Sequence, residues 1–385
     1  MKKALLLIFA ALLLCLAFAG CGNKCTVTFD TGGGTEIAAQ QIKKGETITA
    51  PQDPVREGYA FVGWACLGEA WSLEENTVEG DMTLTAVWET IYVSVSDEGV
   101  VTGPTEAGQT AAVIEITPTV GGVPVTSIGY NAFSYCEDLK SVTIPDGVTS
   151  IGDRAFYHCT SLKSIVIPDS VTSMGQYAFY YCTALKSAAI GNGVTAIGPY
   201  AFYDCTDLKS VTIGNSVTTI GTDAFYRCIS LTSLTIPDGV TSIGSGAFRD
   251  CAALKSITLP DSITRITGWA FHNCISLTYN MHDNINYLGN EQNPYVVAMK
   301  ASDTSITSCT IQAGTKVIYD SAFFGCESLT DVTIPGSVTN IGANVFYGCT
   351  ALTRITFEGT IAQWNDAISQ RVNCTVHCTD GDIAK

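Results

Sequence analysis

Apolar residues recur along most of the chain at one fixed interval. From Ile128 onward, the pattern I-G-x-x-A-F-x-x-C-x-x-L-x-S-V-x-I-P-x-x-V starts again 23 residues later, coil after coil. Nine copies are recognisable, numbered here as coils 1 to 9; they begin at Ile128, Ile151, Met174, Ile197, Ile220, Ile243, Ile266, Ile318 and Ile341. A fixed period of this length predicts a solenoid, in which each repeat forms one coil and stacked coils share a core.

The pattern within one coil predicts two short strands and a compact turn. Leu162, Ile165 and Ile167 have the spacing of a strand whose alternate side chains point inward. A second short extended segment ends near Met174, and the following A-F-x-x-C around Phe179 predicts a helical or 3₁₀ turn. One coil buries too little apolar surface to offset its backbone entropy, so we expect folding to be cooperative between neighbouring coils.

The repeated A-F-x-x-C, L-x-S-I/V-T-I-P and V-T-S-I-G segments resemble the BspA-like leucine-rich repeats of bacterial surface proteins, over roughly residues 92–385. The resemblance implies a mainly β fold, a right-handed solenoid of 23-residue coils with short helical or 3₁₀ turns. Repeats would occupy residues 128–278 and 318–363. Residues 90–127 and 364–385 are expected to be caps, because the ends of a solenoid must be shielded from water.

Residues 279–317 interrupt the repeat. The stretch from Ser305 to Ile318 keeps the strand half of a coil, with Cys309 at a core position, but the turn half is missing. In its place, Y-L-G and Y-V-V-A-M-K flank the polar loop N-E-Q-N-P. This pattern predicts a β-hairpin, which we expect to project from the stack.

Residues 26–89 have the alternating strands and Gly/Pro punctuation of a separate small β domain. The F-D-x-x-G-G turn at Phe29, K-x-G at Lys43, G-Y-x-F-x-G-W at Gly58 and the terminal Trp88 resemble the internalin-type B repeat, a β-grasp-like module of bacterial surface proteins. The resemblance implies a spacer or a contact surface.

Residues 1–20 have the features of a secretory signal peptide, with Lys2 and Lys3 before an apolar run. The F-A-G-C sequence ending at Cys21 resembles a lipoprotein lipobox, which implies that Cys21 carries a lipid and that residues 21–25 are the attachment and a short tether. We therefore expect an exported protein that is lipid-anchored at the cell membrane and displayed on the surface. A-F-A at residues 17–19 also fits ordinary signal cleavage, so simple secretion stays open.

The formal net charge of −16 argues against nucleic acid or an anionic membrane surface as the main partner. Contact with a membrane would then run through the N-terminal lipid only. A composition of 46% hydrophobic and 15% charged residues is typical of a folded chain, and we expect a monomer.

Most cysteines occupy one repeat position. Equivalent side chains in stacked coils lie parallel, about 4.7–4.9 Å apart, so they predict a reduced structural ladder rather than disulfides. The ladder comprises Cys136, Cys159, Cys182, Cys205, Cys228, Cys251, Cys274, Cys326 and Cys349. Bonds between Cys25 and Cys66, and between Cys374 and Cys378, stay open. With His377, the last pair is one ligand short of a typical zinc site, so we expect no metal and no cofactor.

No H-E-x-x-H or G-x-S-x-G motif appears and the histidines are scattered, so we predict that the protein is not an enzyme. Two outward stripes are the candidate binding surfaces. Lys140, Lys163, Lys186, Lys209 and Lys255 follow the first strand leucine, and Tyr157, Tyr180, Tyr203 and Tyr226 follow A-F.

Each stripe has two interpretations. The lysines would either bind an anionic glycan or acidic protein, or offset the Asp residues of neighbouring turns. The tyrosines would either contact protein or sugar, or pack over the turn. Together these features predict a non-enzymatic surface protein that mediates protein binding or adhesion, with glycan capture or a structural envelope role as alternatives.

Overall fold

The computed structural model describes residues 23–368 and 372–384. The signal peptide and Cys21 lie outside the described residues. Two compact units are present. The first runs to Tyr92 and includes residues 105–108 and 119–122, and the second holds the remainder.

The first unit is built on one five-stranded sheet. Along the chain its strands are Lys24–Asp30, Gln40–Lys43, Tyr59–Cys66, Glu69–Trp71 and Met82–Thr90. The first and last of these strands pair in parallel at the centre, and the others add antiparallel neighbours. Residues 44–58 contain no helix, so the resemblance to a β-grasp is confined to the sheet.

The glycine turn in this unit is shaped by Trp88. The Trp88 indole N–H donates to the Thr31 carbonyl at 3.0 Å. A Cβ on Gly34 would lie 2.7 Å from the Trp88 ring, so no larger residue fits there. The close approach explains why the glycines and the terminal tryptophan occur together.

The second unit is a mainly β solenoid of about 12 turns with coils of about 23 residues, as the sequence predicted. Each coil contributes one strand to a long-strand ladder and one to a short-strand ladder. The long strands are Val113–Glu115, Ser141–Thr143, Ser164–Ile167, Ser187–Ile190, Ser210–Thr212, Ser233–Thr235, Ser256–Thr258, Ser308–Thr310, Asp331–Pro335 and Arg354–Glu358. The short strands are Val100–Pro104, Ser127–Ile128, Ser150–Ile151, Ser173–Met174, Ala196–Ile197, Thr219–Ile220, Ser242–Ile243, Arg265–Ile266, Val317–Ile318 and Asn340–Ile341.

Between consecutive regular coils, pairing in both ladders follows the repeat register, so each paired residue faces the residue 23 positions later, as in Ser150 with Ser173. The remaining elements before coil 1 are the strand Val93–Val95, the helix Glu106–Gln109 and the strands Thr119–Val120 and Val123–Pro124. Within the second unit, Val93–Val95 pairs antiparallel with Val100–Pro104, and Val100–Pro104 continues the ladder into coil 1.

Phenylalanines form the centre of the stack. From Phe133 to Phe271, successive rings stack with centroids 5.1 to 5.6 Å apart and planes within 8° of parallel. In coils 1 to 6 and coil 9 the second residue is glycine, which permits this spacing, since a Cβ on Gly221 would lie 2.6 Å from the backbone nitrogen of Pro199 in the coil before. Close stacking of backbones therefore selects glycine at this position.

The turn around each A-F-x-x-C is not helical. Its hydrogen bonds span three residues, as in Tyr157 N–H to the Arg154 carbonyl at 3.1 Å. However, Arg154 and His158 both have left-handed backbone, with φ of 56° and 58°. A left-handed residue every fourth position stops helix propagation, so the prediction of a helical or 3₁₀ turn was wrong.

The hairpin at the interruption forms, but it does not project. Its strands are Ile285–Leu288 and Val297–Ala301, preceded by Asn280–His282. Val297–Ala301 pairs in parallel with Val317–Ile318 and so provides the short strand of the interrupted coil. Tyr287 and Val297 are fully buried, because the coils on either side need an apolar neighbour.

The C-terminal end is closed by more structure than the pattern suggested. A strand occupies the predicted Thr375–Cys378, and Gly381–Ile383 adds an antiparallel partner. The helix Ile361–Ala367, which was not predicted, packs Trp364 into the core. Thr360 and Gln363 cap its first turn reciprocally, and T-x-x-Q was the signal for it in the sequence.

Candidate binding surfaces

The cysteine ladder lies inside the stack. Cys159 through Cys274 are buried, whereas Cys136 and Cys349 at the two ends are partly exposed. Each interior thiol donates to the phenylalanine carbonyl of the preceding coil, as in Cys182 to Phe156 at 3.1 Å. Burial raises the pKa of Cys274 to about 12, which keeps it a thiol at neutral pH. These side chains contribute packing and offer no reactive site.

The other cysteine pairs are not placed for disulfides. Cys25 and Cys66 lie on strands that both pair with Met82–Thr90, and this separates them by about 9–10 Å or more, beyond the Cα range of a disulfide. Cys374 and Cys378 are four residues apart along extended chain, roughly 13 Å. Neither geometry allows the bond that the sequence left open.

The histidines contact rings, amides or a carboxylate. His377 lies 2.9 Å from Asp382, on the opposite side of its strand from Cys374 and Cys378. His158 stacks on Tyr181, and His282 lies 2.8 Å from the Gln312 amide. Among the described residues, no three His, Cys, Asp or Glu side chains come together as a metal site.

The predicted lysine stripe is an exposed column. Its members lie just before the long strands, and their backbones are bonded directly, with Lys186 N–H donating to the Lys163 carbonyl at 2.8 Å. Within the described ranges, no lysine of the column forms an ion pair, whereas Arg227 and Arg354 do. Among the described residues, the lysines therefore make no direct contact with the turn aspartates, and both interpretations of the column stay open. The column comprises Lys140, Lys163, Lys186, Lys209 and, after a threonine in coil 5, Lys255.

The predicted tyrosine stripe is a stacked column. Tyr157 and Tyr180 stack at 5.0 Å, Tyr180 and Tyr203 at 4.7 Å, and Tyr203 and Tyr226 at 4.5 Å. All four rings are partly exposed. The rings therefore stack on one another along the turns, and contact with protein or sugar stays a prediction.

More aromatic residues join this column than the sequence analysis found. Tyr177 and Tyr200 form a second column, stacked at 4.7 Å, and His158 and Tyr181 begin a third at the same separation. These residues lie just before the Ala or the Cys of A-F-x-x-C, and reading those two positions coil by coil would have found them. The tyrosine surface consists of Tyr135, Tyr157, His158, Tyr177, Tyr180, Tyr181, Tyr200, Tyr203 and Tyr226.

A buried carboxylate anchors the middle of the tyrosine surface. Asp204 is 4% exposed and lies 3.5 Å from the Arg227 guanidinium. A hydrogen bond with Asp204 and its negative charge raise the pKa of Tyr181. Partial burial, reinforced by neighbouring rings, raises the pKa of Tyr180 and Tyr203 to about 12. At neutral pH these hydroxyls are therefore protonated and can donate hydrogen bonds.

Much of the tyrosine surface stands on left-handed backbone. Tyr135, Tyr177, Tyr181 and Tyr200 have φ between 58° and 61°. A non-glycine residue in this region costs about 1–2 kcal/mol. At the equivalent positions, coil 6 has Gly246 and coil 9 has Gly348, so the backbone itself does not require large side chains there.

Comparison with known families assigns the repeats. The model of the BspA type leucine rich repeat region matches residues 122–230, 218–292 and 300–373, and the Listeria-Bacteroides repeat domain matches residues 26–87. The chain belongs to the BspA-type leucine-rich repeat family. This family consists of bacterial surface proteins, and both resemblances drawn from the sequence are confirmed.

Curated relatives share a segment of 79 residues with this BspA-type protein. A putative Gly-rich membrane protein of Evansella cellulosilytica is 43% identical over 79 residues, which is 20% of this chain and 9% of that protein. A putative membrane protein of the same organism is 40% identical over 79 residues, or 20% and 12%. The chain thus spans about a tenth of the length of these relatives. Neither helix among residues 23–368 and 372–384 has the length and apolar character to cross a bilayer.

Solved structures of surface proteins are similar to the repeat region. A leucine rich cell surface protein from Faecalibacterium prausnitzii is 28% identical, covering 73% of this chain and 96% of that one, with a TM-score of 0.34. The pneumococcal vaccine antigen PcpA is 20% identical, covering 71% and 70%, with a TM-score of 0.37. At these TM-scores the superpositions are partial, and the family assignment rests on the repeats.

Proposed function

We propose that the solenoid binds extracellular proteins without catalysing a reaction, and that it mediates adhesion to host, matrix or neighbouring cells. The tyrosine surface carries this proposal. Tyrosine rings supply a large contact area with a hydrogen-bonding tip at low entropic cost. Four of them are held at strained positions that glycine occupies in coil 6 or coil 9, so we infer that what favours these tyrosines is the surface they present.

Membership in a surface-protein family supports an extracellular role for this surface. Stacking also pre-orders the rings, since each is fixed by a neighbour 4.5 to 5.0 Å away along the main column. A partner would therefore bind without having to order them, which favours affinity.

The test compares two double variants of the purified protein. Tyr177→Gly with Tyr200→Gly removes a stacked ring pair at positions where glycine is unstrained. Lys163→Ala with Lys186→Ala is the matched control on the lysine column. Binding to an immobilised extracellular-matrix preparation is measured by surface plasmon resonance, before and after treating the matrix with protease or with glycosidases.

We expect the tyrosine variant to bind at least about tenfold more weakly and the lysine variant to bind normally. Protease treatment of the matrix should abolish binding, whereas glycosidases should not. Equal binding by both variants and the unmodified protein would refute the tyrosine surface as the contact.

A second candidate function, capture of an anionic glycan, is favoured by the lysine column. Like charges about 4.7–4.9 Å apart repel one another, and no ion pair among the described residues offsets them. A depression of about 440 Å³ beside Lys209 is lined by hydroxyls, including Ser210 and Thr212. Binding that is lost with the lysine variant, with glycosidase treatment and in high salt would support this function instead.

We also propose that Cys21, outside the described residues, carries the lipid that tethers the protein. The motif supports this, and simple secretion is the alternative. The Cys21→Ala variant should be released from the membrane into the medium, which fractionation of the expressing cells would detect. Retention in the membrane fraction would contradict the lipid anchor.

A further inference from the structure

In coils 1 to 6 and in coil 8, three backbone N–H groups are directed at the turn of the next coil. They belong to the residue before the Ala, to the Phe and to the residue before the Cys of A-F-x-x-C, and carbonyls of the next coil accept them. In coil 6 these bonds run from Gly246 to Gly268 at 3.0 Å, from Phe248 to Ala270 at 2.8 Å and from Asp250 to His272 at 2.8 Å. One turn thus hydrogen-bonds to the next through the main chain alone.

Coil 7 has no such partner, because the interrupted coil lacks its turn. The Phe271 N–H donates instead to the Tyr319 hydroxyl at 3.1 Å. The N–H groups of Trp269 and Asn273 have no acceptor among the described residues. Two of the three donors on this wall are therefore available.

At the start of coil 8, on the other side of the interruption, backbone carbonyl groups lack the donors that a complete coil would supply. Equivalent carbonyls in coil 2, those of Asp153 and Tyr157, accept bonds from coil 1. The corresponding carbonyls of Asp320 and Phe324 accept none within the described part of the chain. Among the described residues, backbone donors are thus left without partners on the coil 7 side of the missing turn, and backbone acceptors on the coil 8 side.

A cleft of about 400 Å³ separates the two walls. Buried Phe271 and Met299 are among its apolar lining residues. Lys300 also lines it, with its ammonium 5.5 Å from the Tyr279 ring. The cleft therefore combines an apolar lining with hydrogen-bonding walls, which is the composition of a binding site.

The aromatic columns are also interrupted at this cleft. The Trp269 ring lines it and is 59% exposed, with Arg249 of coil 6 held 5.1 Å from the ring. Across the interruption, Phe324 is 53% exposed and stacks at 5.4 Å on Tyr347 of coil 9. Trp269 stands before the Ala and Phe324 after A-F, so they belong to two different columns. The missing turn leaves the Trp269 ring exposed beside the cleft.

We propose that this cleft binds a peptide segment of a partner protein, which takes the place of the missing turn. Its carbonyls accept from the Trp269 and Asn273 N–H groups, and its N–H groups donate to the Asp320 and Phe324 carbonyls. An aromatic side chain of the peptide stacks on the exposed Trp269 ring. The donors and acceptors occupy positions that main chain satisfies in the other coils, and a polypeptide supplies both groups at that spacing.

The proposal shares with the proposed function only the class of partner, since it uses a different surface. Its test starts from a display library of random ten-residue peptides selected on the purified full chain. Selected peptides are labelled with fluorescein and titrated by anisotropy against the unmodified protein, Trp269→Gly and Asn131→Gly. Trp269 has φ of 62° and Asn131, at the same position of coil 1, has φ of 56°, so glycine fits both.

We expect the selected peptides to share an aromatic residue. They should bind the Trp269→Gly variant at least about tenfold more weakly than the unmodified protein and bind the Asn131→Gly variant normally. Hydrogen exchange should slow at the Trp269 and Asn273 amides when a peptide binds. The proposal is overturned if no selected peptide depends on Trp269, or if these amides exchange at an unchanged rate. Binding of a glycan that requires Trp269 would assign the cleft to a sugar and overturn the proposal. Self-association that the Trp269→Gly variant loses would assign it to a second copy of the chain and also overturn the proposal. Loss of matrix binding in the tyrosine variant alone tests the proposed function separately.

Discussion

At the residue scale, the most informative feature is the pair of left-handed residues in each complete coil. In coil 3 they are Tyr177 and Tyr181, whose φ values are 58° and 60°. The stack over-determines this conformation, because the Tyr181 N–H donates to the Tyr203 carbonyl of the next coil at 2.8 Å. The cost of the strain is offset by a hydrogen bond that forms only when the neighbouring coil is in place.

Substitution at Tyr181 should reverse the usual order of glycine and alanine. Tyr181→Gly and Tyr181→Ala lose the same ring, but only alanine keeps the strain, so the glycine variant should be more stable by about 1 kcal/mol. Urea unfolding of both variants gives the difference. Lys186, whose φ is not positive, is the control: there the alanine variant should be the more stable. The same order at both sites would contradict the role of strain.

The ladder thiols should resist modification in the folded protein. Interior members such as Cys205 and Cys228 are completely buried, and burial raises their pKa. Alkylation at pH 8 followed by peptide mass spectrometry should therefore label Cys136 and Cys349 first and the interior positions only in denaturant. Rapid labelling of the interior thiols without denaturant would show that the stack opens locally.

At the element scale, the interrupted coil supplies part of the contacts that a complete coil would make. The strand Val297–Ala301 extends the short-strand ladder of coils 8 and 9 into the interruption, and the Tyr319 hydroxyl replaces one bond of the missing turn. Tyr319 stands where most other coils have glycine, and its ring has room because no turn lies against it. A glycine replaced by tyrosine in a repeat is therefore a sign in the sequence that the neighbouring turn is missing.

Removing the Tyr319 hydroxyl should weaken this part of the stack. In Tyr319→Phe the Phe271 N–H loses its acceptor, and we expect a loss of about 1–3 kcal/mol in unfolding free energy. Tyr347→Phe is the matched control, since Tyr347 is 66% exposed and should change stability little. An equal effect of the two variants in urea unfolding would argue that the hydroxyl does not replace the missing bond.

At the scale of the whole molecule, the solenoid is a one-dimensional stack in which each coil contacts its neighbours. Pairs in both ladders join residues 23 positions apart, as Ile220 joins Ile243. Stability is then close to a sum of coil and interface contributions. Interruptions and caps are tolerated as long as each exposed coil face finds an apolar cover, which Tyr287 and Trp364 provide.

Deleting one whole coil should preserve the fold. Removal of residues 174–196 joins Ser173 to Ile197 and restores the register of both ladders. We expect a folded protein with an unchanged shape of the circular dichroism spectrum and a smaller urea m-value. Removal of residues 174–184 breaks the register and is the control, which should not fold cooperatively. A folded control variant would mean that the period does not govern stacking.

The sequence by itself determined the period, the two strands of each coil, the buried position of the cysteines and the separate N-terminal module. These depend on apolar spacing, which is repeated so often that the register has one solution. Tertiary structure alone decided the left-handed turn backbone, the stacking of the further aromatic columns and the cleft between coils 7 and 8. Each of these depends on what the neighbouring coil supplies or lacks: a carbonyl that fixes Tyr181, a ring that stacks on Tyr177, or a missing turn beside Trp269.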